Sequence, residues 1–529
     1  MNAQHAPGVT VAYSPATLEK IGEINNTDMS RMPEFFAKAR AAQKQWANLS
    51  FQQRNRHILK MRQYIVEHAE KIAKVVSDDN GKSRIDALAT EVIPCALACQ
   101  WYGKNAGKVL KPKNLWASSI LFINKRSQVV RIPIGVVGII SPWNYPLSIP
   151  FGEIVMGLMA GNAIMLKVAA ATPLVGQVIE QIVAAGELPE GLFYHLVGSG
   201  GAVSKAFFSN GIGKIFFTGS VPIGKQLMAE ASATLTPLSL ELGGKDPMIV
   251  LADADLERAT NGAAWAGYQN AGQSCGGVER IYVHESVYDP FVALLASKTK
   301  AMRHGLDRNF DVEMSAITTE SQLKTVRRHV EEAVKAGAKI VAQSTAPNQE
   351  KGYFYPATLM TEVNHQMELM REETFGPVLP VMKFRTTEEA IELANDCTMA
   401  LTSSIWTRNT QLGKEIAEKI EAGVTTINDH LYTHGLAETP WGGWKDSGLG
   451  RTHGPLGLEE MTHAKVINWD LLPAKRNIWW FPFDKATYEG LLSALHFVFP
   501  RSAGEFLGSS LKLTTFMLKK MFSAWKIGQ

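Results

Sequence analysis

Between residues 135 and 250, short apolar stretches alternate with helix-like ones, and this rhythm narrows the possible folds more than any other feature. GVVGIIS, NAIMLK, FYHLVG, KIFFTG and PMIVL have the length and apolar character of buried strands. PLVGQVIEQIVAAG and GKQLMAEASA, which lie among them, carry apolar residues at helical spacing. Strands apolar on both faces and separated by helices form a parallel sheet covered on both sides. The alternation resumes from 279 to 430 in RIYVHE, AITTESQLKTVRRHVEEAVKAGAKIVA, SSIWT and GVTTIND, which implies a second α/β domain. A chain of 529 residues has room for both. Doubly wound sheets bind ligands at the carboxyl ends of their strands.

Other segments read differently. Residues 31–78 show helical spacing and strong helix formers, which predicts two or three helices. SSILFINKRSQVVRIPIGVVGIISP, at about 118–141, alternates like a hairpin followed by a buried strand. No internal repeat is visible. The N-terminus lacks the apolar core of a signal peptide, and no stretch approaches the ~18 apolar residues of a spanning helix. The four cysteines, Cys95, Cys99, Cys275 and Cys397, form no CxxC and no Cys/His cluster, so neither a disulfide framework nor a metal site is expected. A reducing, cytoplasmic compartment fits this usage, and nothing points to nucleic acid.

No GxGxxG occurs. FTGSVPIG places Gly219, Ser220 and Gly224 between a strand end and a helix start, where backbone N–H groups could hold a pyrophosphate. NAGQSCGG sets Cys275 among residues too small to pack a core.

Taken together, SPWNYP (141–146), LELGGK (240–245), NAGQSCGG (270–277), EETFGP (372–377) and PWGGWKDSG (440–448) resemble the aldehyde dehydrogenase superfamily in order and spacing, from about residue 30 to 470. The resemblance implies NAD(P)-dependent oxidation of an aldehyde to a carboxylic acid. Cys275 would be the nucleophile, since a thiolate on the carbonyl creates the anion from which hydride can leave. Asn144 and the Cys275 N–H would hold the oxyanion, and Glu241 would activate the water that hydrolyses the thioester. For NAD or NADP it implies Lys167 at the adenine-side ribose and Ser220 at the pyrophosphate. Glu373 would sit at the nicotinamide ribose, with Phe375 and Trp143 beside the cofactor. Where the family commonly has proline and glutamate after the lysine, this chain has Val168 and Ala170. Losing that glutamate removes an anchor for the ribose hydroxyls and a repulsion against a 2′-phosphate, so NADP use is expected.

The implied architecture is two Rossmann-like doubly wound domains. Residues 1–111 and 133–245 would form the dinucleotide-binding domain and 246–430 the catalytic domain. An arm from 112–132 and 462–470 would make a homodimer or homotetramer. Relatives acting on succinate semialdehyde keep an arginine eight residues past the oxyanion-hole asparagine. That position is Gly152 here, followed by Glu153, which would disfavour a carboxylate substrate. With Gly276 and Gly277 leaving volume beside the cysteine, a medium or long apolar aldehyde is expected. A succinate-semialdehyde dehydrogenase is the alternative. A cofactor-independent cysteine hydrolase and a catalytically silent binding protein are remoter ones.

Residues 475–529 hold eight Lys/Arg against three Asp/Glu, and eleven of the chain's 46 aromatic residues. Wound as a helix, LKLTTFMLKKMFSAWK puts Lys512, Lys519 and Lys526 on one stripe. Leu511, Leu513, Met517, Leu518, Met521, Phe522 and Trp525 fill the opposite arc. Such a segment suits peripheral contact with a membrane. Packing on another subunit is the competing expectation.

Overall fold

The computed structural model describes residues 5–6, 8–345 and 351–523. The chain forms two compact units. One contains the chain up to Val109 together with Pro133–Thr462, and the other contains Leu110–Ile132 and the chain from His463 onward.

The first unit holds two large sheets. In the six-stranded one the spatial order is Gly448–Leu449, Leu238–Glu241, Lys214–Thr218, Val136–Ile140, Ala163–Lys167, Phe193–His195. The last five run parallel, and Gly448–Leu449 closes the edge antiparallel to Leu238–Glu241. Val136–Ile140, Ala163–Lys167 and Lys214–Thr218 are buried at every position, as their apolar runs require. The chain winds outward in both directions from Val136–Ile140. The switch point therefore lies between that strand and Lys214–Thr218, and opens beside Trp143, Asn144, Gly219 and Ser220.

The seven-stranded sheet has the order Lys339–Gln343, Thr358–Thr361, Val378–Phe384, Val278–His284, Asp246–Val250, Thr402–Trp406, Val424–Ile427. Only Lys339–Gln343 is antiparallel to its neighbour. Here the carboxyl-end rule is reversed. Cys275 precedes Val278–His284, and Glu373 and Phe375 precede Val378–Phe384, so this sheet offers its amino ends to the site. Helices Met32–Ala47, Phe51–Glu67 and Ala69–Asn80 fill the predicted helical stretch. A small sheet of His5–Ala6, Val9–Tyr13 and Lys20–Asn25 precedes them.

The strands Thr462–Asp470, Lys125–Pro133 and Lys113–Leu115, which apart from Thr462 and Pro133 belong to the second unit, form a three-stranded sheet. Ile120–Phe122 is a 3-10 turn rather than hairpin strand. Helices Lys485–Val498 and Ala503–Phe522 follow, capped by the Asp484 carboxylate and the Ser502 hydroxyl. The single apolar arc expected for the last helix does not form. Leu513 turns inward with Ser509 and Lys520, while Leu511, Leu518 and Phe522 stay exposed. A helix packed on a neighbour must bury one of its own faces, and here that face carries a lysine. Lys520 Nζ donates to the Pro482 carbonyl at 2.5 Å and to Thr487 Oγ1 at 2.9 Å. Trp525 and Lys526 lie outside the described residues.

Candidate active site

The Cys275 loop is tied down before it reaches the sulfur. Asn270 and Ala271 both adopt φ +53°, left-handed backbone that costs non-glycine residues energy. The strain is held by hydrogen bonds. Asn270 N–H donates to Asp86 Oδ2 at 3.1 Å, its Nδ2 to the Asn144 carbonyl at 3.0 Å, and the Thr318 N–H to Gln273 Oε1 at 2.9 Å. Gly272 has φ +71°, and a Cβ there would stand 2.1 Å from the Gly376 carbonyl oxygen. Glycine is therefore obligatory at that crossing.

Cys275 is half-buried. Burial pushes its thiol well above the usual range, and the Glu373, Asp246 and Glu241 carboxylates push it further. The volume expected beside it is absent. A Cβ on Gly276 would lie 2.7 Å from the Trp441 indole and one on Gly277 2.9 Å from the Ala266 carbonyl. These glycines admit neighbouring protein rather than substrate. The two after Glu241 act alike, since a Cβ on Gly243 would meet the Glu373 carboxylate at 2.6 Å and one on Gly244 the Cys275 carbonyl at 2.4 Å.

Asn144 is buried, and its Oδ1 has no hydrogen-bond partner among the described residues. Its backbone is fixed instead. Lys82 Nζ donates to the Asn144 carbonyl at 2.8 Å and pairs with Glu91 at 2.7 Å, both side chains fully out of solvent. The other Glu91 oxygen accepts from the Leu147 and Ser148 N–H groups at 3.0 and 2.8 Å. Glu241 ends the strand Leu238–Glu241, also buried, and neither carboxylate oxygen has a hydrogen-bond partner among the described residues. Burial raises its proton affinity well above the ordinary carboxylate range, and the neighbouring Glu153 carboxylate adds to the effect.

Two cavities meet at these residues. A cavity of about 210 Å³ is lined by Trp143, Asn144, Gly219, Ser220, Glu241, Cys275, Glu373 and Phe375, among others. Beyond it, a tight space of about 10 Å³ has Cys275 and Glu241 on its wall with Glu153, His434, Trp441 and His453. The larger one brings together most of the residues expected at a cofactor. The Ser220 hydroxyl caps no backbone N–H of the helix Val221–Ser232 and is exposed beside its N-terminus. Glu373 Oε1 accepts from Gly244 N–H at 3.0 Å, and burial raises its pKa to about 8. The Phe375 ring stands edge-on to Trp143 at 5.4 Å. Gly224 leaves room for Leu242, which a Cβ would meet at 2.6 Å. Lys167, which is not on the wall of this cavity, ends the strand Ala163–Lys167, buried and with its pKa lowered to about 8 by desolvation.

The Aldehyde dehydrogenase family model matches residues 3–467. The chain belongs to the aldehyde dehydrogenase family. It is therefore an oxidoreductase that converts an aldehyde to the acid with NAD or NADP. Curated relatives include the 4,4'-diapolycopene aldehyde oxidase of a Methylomonas species, 33% identical over 490 residues, 92% of this chain and 91% of that one. A Mycobacterium ulcerans protein provisionally named succinate-semialdehyde dehydrogenase [NADP(+)] 2 is 35% identical over 82% of this chain and 83% of its own. Among solved structures, the NAD+ complex of a Bacillus cereus aldehyde dehydrogenase superposes with a TM-score of 0.83 at 31% identity, covering 88% of this chain and 94% of that one.

This aldehyde dehydrogenase also uses residues that sequence reading passed over. Glu279 accepts from the Thr374 and Phe375 N–H groups at 3.1 and 2.8 Å and pairs with Lys245 at 2.6 Å, fixing the Glu373 turn. Gln322 donates to the Thr374 carbonyl at 2.8 Å. His434, Trp441 and His453 come from 431–461, a stretch left between the assigned domains, although PWGGWKDSG flagged part of it. His453 sits at φ +56°, strain placed on the cavity wall. Among the described residues no cluster suited to a metal ion occurs, and no helix is long and apolar enough to cross a membrane.

Proposed function

We propose that Cys275 is the nucleophile of this oxidation, with Asn144 and the Cys275 N–H as oxyanion donors and Glu241 as the base that activates water. The supporting observation is that Cys275 and Glu241 line both cavities at once, with Asn144 on the wall of the larger. The thiol passes its proton to solvent water as its sulfur bonds the carbonyl carbon, and the oxyanion left when the C=O π pair moves to oxygen takes the Asn144 amide as its donor. A nicotinamide held by Ser220, Glu373, Phe375, Trp143 and the glycine turn at Gly219 and Gly224 would supply the hydride acceptor. Glu241 then takes a proton from the water that attacks the thioester, and Cys275 leaves as thiolate. Intact-mass measurement tests this: Glu241→Gln mixed with decanal and NAD should trap an acyl group on Cys275. Turnover by Cys275→Ser at the parent rate would overturn it.

For substrate, we favour a medium or long apolar aldehyde over succinate semialdehyde. The inner cavity has no lysine or arginine on its wall, and the nearby Arg451 gives its Nη1 to the Gly443 and Gly450 carbonyls. Alignment over 92% of the chain with a protein named for 4,4'-diapolycopene aldehyde, a long apolar molecule, reaches past the 3–467 family match into the tail. Succinate semialdehyde turned over faster than decanal would reverse this choice. Lys167 beside Val168 and Ala170 supports use of NADP as well as NAD, the ammonium being able to pair with a 2′-phosphate.

We also propose that the sheet of the second unit builds a homodimer or homotetramer and that residues from 475 onward meet an anionic membrane surface. Tyr488, Leu492, Leu495 and Phe499 form an exposed stripe on one tail helix; Leu507, Leu511, Leu518 and Phe522 form one on the other. Trp479, Trp480, Phe481 and Phe483 are exposed ahead of them. Apolar and interfacial aromatic surface beside an excess of positive charge is complementary to acidic lipid headgroups. The full chain should pellet with phosphatidylglycerol vesicles and less with phosphatidylcholine ones. A Leu507, Leu511 and Leu518 to Ser variant should stay in solution; unchanged pelleting by that variant would exclude these stripes. A change in its oligomeric state would point to a second copy instead.

A further inference from the structure

Besides Cys275, four titratable side chains wall the inner cavity: Glu153, Glu241, His434 and His453. Oxidation of an aldehyde accounts for only one of them. Glu153 comes from Ser148–Ala160, a helix buried along its whole length, and among the described residues it makes no hydrogen bond or ion pair. An unpartnered carboxyl in such a place is costly and calls for a reason.

The surrounding groups leave it one partner. Burial holds both histidines neutral, so neither balances a negative charge. Glu91, an acid at the start of this helix, is already paired with Lys82. Tyr102 feels Glu153 and Glu438 but is itself a buried phenol held protonated. Among the described residues, Arg451 is the one cation that acts on Glu241. On the wall of one enclosed space with room for about one water, the two carboxyls cannot both ionise freely.

We propose that Glu153 and Glu241 form a coupled pair sharing one proton at rest, with Glu153 the positioning residue that keeps Glu241 basic enough to take a proton from water near neutral pH. This rests on Glu241 being the base. In the step concerned, a water O–H bond breaks as its oxygen bonds the thioester carbon. The proton passes to Glu241, and the C–S electron pair stays on Cys275 as the bond breaks. The pair then holds two protons and sheds one before the next turnover. Burial supports the assignment: it raises Glu153 to about 8 and Glu241 well above the ordinary carboxylate range, and the Glu153 charge raises Glu241 further.

Rapid mixing of the holoenzyme with decanal, followed by NADH absorbance across pH, separates the hydride burst from steady turnover. Glu153→Gln should keep the burst, slow the steady rate several-fold and move its acid limb about one pH unit lower. An unmoved limb overturns the pair. Should Glu153→Gln lose its burst and cooperative melting, Glu153→Asp decides, because it retains a carboxyl in the cavity. A parent-like limb supports the pair, and a folded Asp variant without one overturns it. Glu241→Gln distinguishes the two assignments. Steady turnover surviving it removes the base itself; a burst that stops there, beside an unmoved limb in Glu153→Gln, removes only the pair.

Discussion

The Lys82 ammonium reaches two partners at once, the Glu91 carboxylate at 2.7 Å and the Asn144 carbonyl at 2.8 Å, entirely out of water. Because Glu91 in turn holds the Leu147 and Ser148 N–H groups, one ion pair sets the backbone at the proposed oxyanion donor and in the turn that follows it. Lys82→Ala leaves Glu91 buried without its cation, so a loss of about 3–5 kcal/mol is expected in denaturant unfolding. A Lys82→Met, Glu91→Leu double variant should recover much of that stability without recovering turnover.

Asn144→Ala should behave oppositely. The Asn144 side-chain Oδ1 accepts nothing, and the network grips its backbone carbonyl. Stability should change little while kcat falls by roughly 10²–10³-fold. Melting and steady-state rates measured on one preparation check both halves.

Gly276→Ala places a Cβ 2.7 Å from the Trp441 ring and 3.1 Å from Thr402 Cγ2. Overpacking of this kind costs about 1–3 kcal/mol, here at the residue after the nucleophile. Turnover should drop, and Trp441→Phe in the same chain should return part of it.

Lys167 offers a pH signature. Its pKa is lowered to about 8 by burial, so the ammonium is charged below that pH and neutral above it in the free enzyme. Attraction for a 2′-phosphate is present at pH 7 and fades through pH 8 to 9. The ratio of NADP to NAD dissociation constants should rise over this range, and Lys167→Met should flatten it.

The strand and helix pattern was legible wherever burial is two-sided, because apolar runs such as AIMLK and KIFFT admit no other placement. A family likeness singled out Cys275, Asn144 and Glu241, and the chain brings Cys275 and Glu241 to both cavities and Asn144 to the larger one. Hidden were the groups that act by juxtaposition. Lys82, Glu91 and Glu279 look like surface charges in sequence, and only tertiary contact makes them buried struts. Gly276 and Gly277 misled in the other direction: a missing side chain signals close approach without saying what approaches. The tail misled because a helical wheel ranks faces by polarity and cannot know that a second helix will claim the face bearing Lys520.

Gly448–Leu449 pairs with Leu238–Glu241, although some two hundred residues separate them. During synthesis the strand carrying Glu241 must wait, its outer edge unsatisfied, until the whole cysteine-bearing domain has left the ribosome. The six-stranded sheet is thus finished last, by a segment born after the loop that carries Cys275.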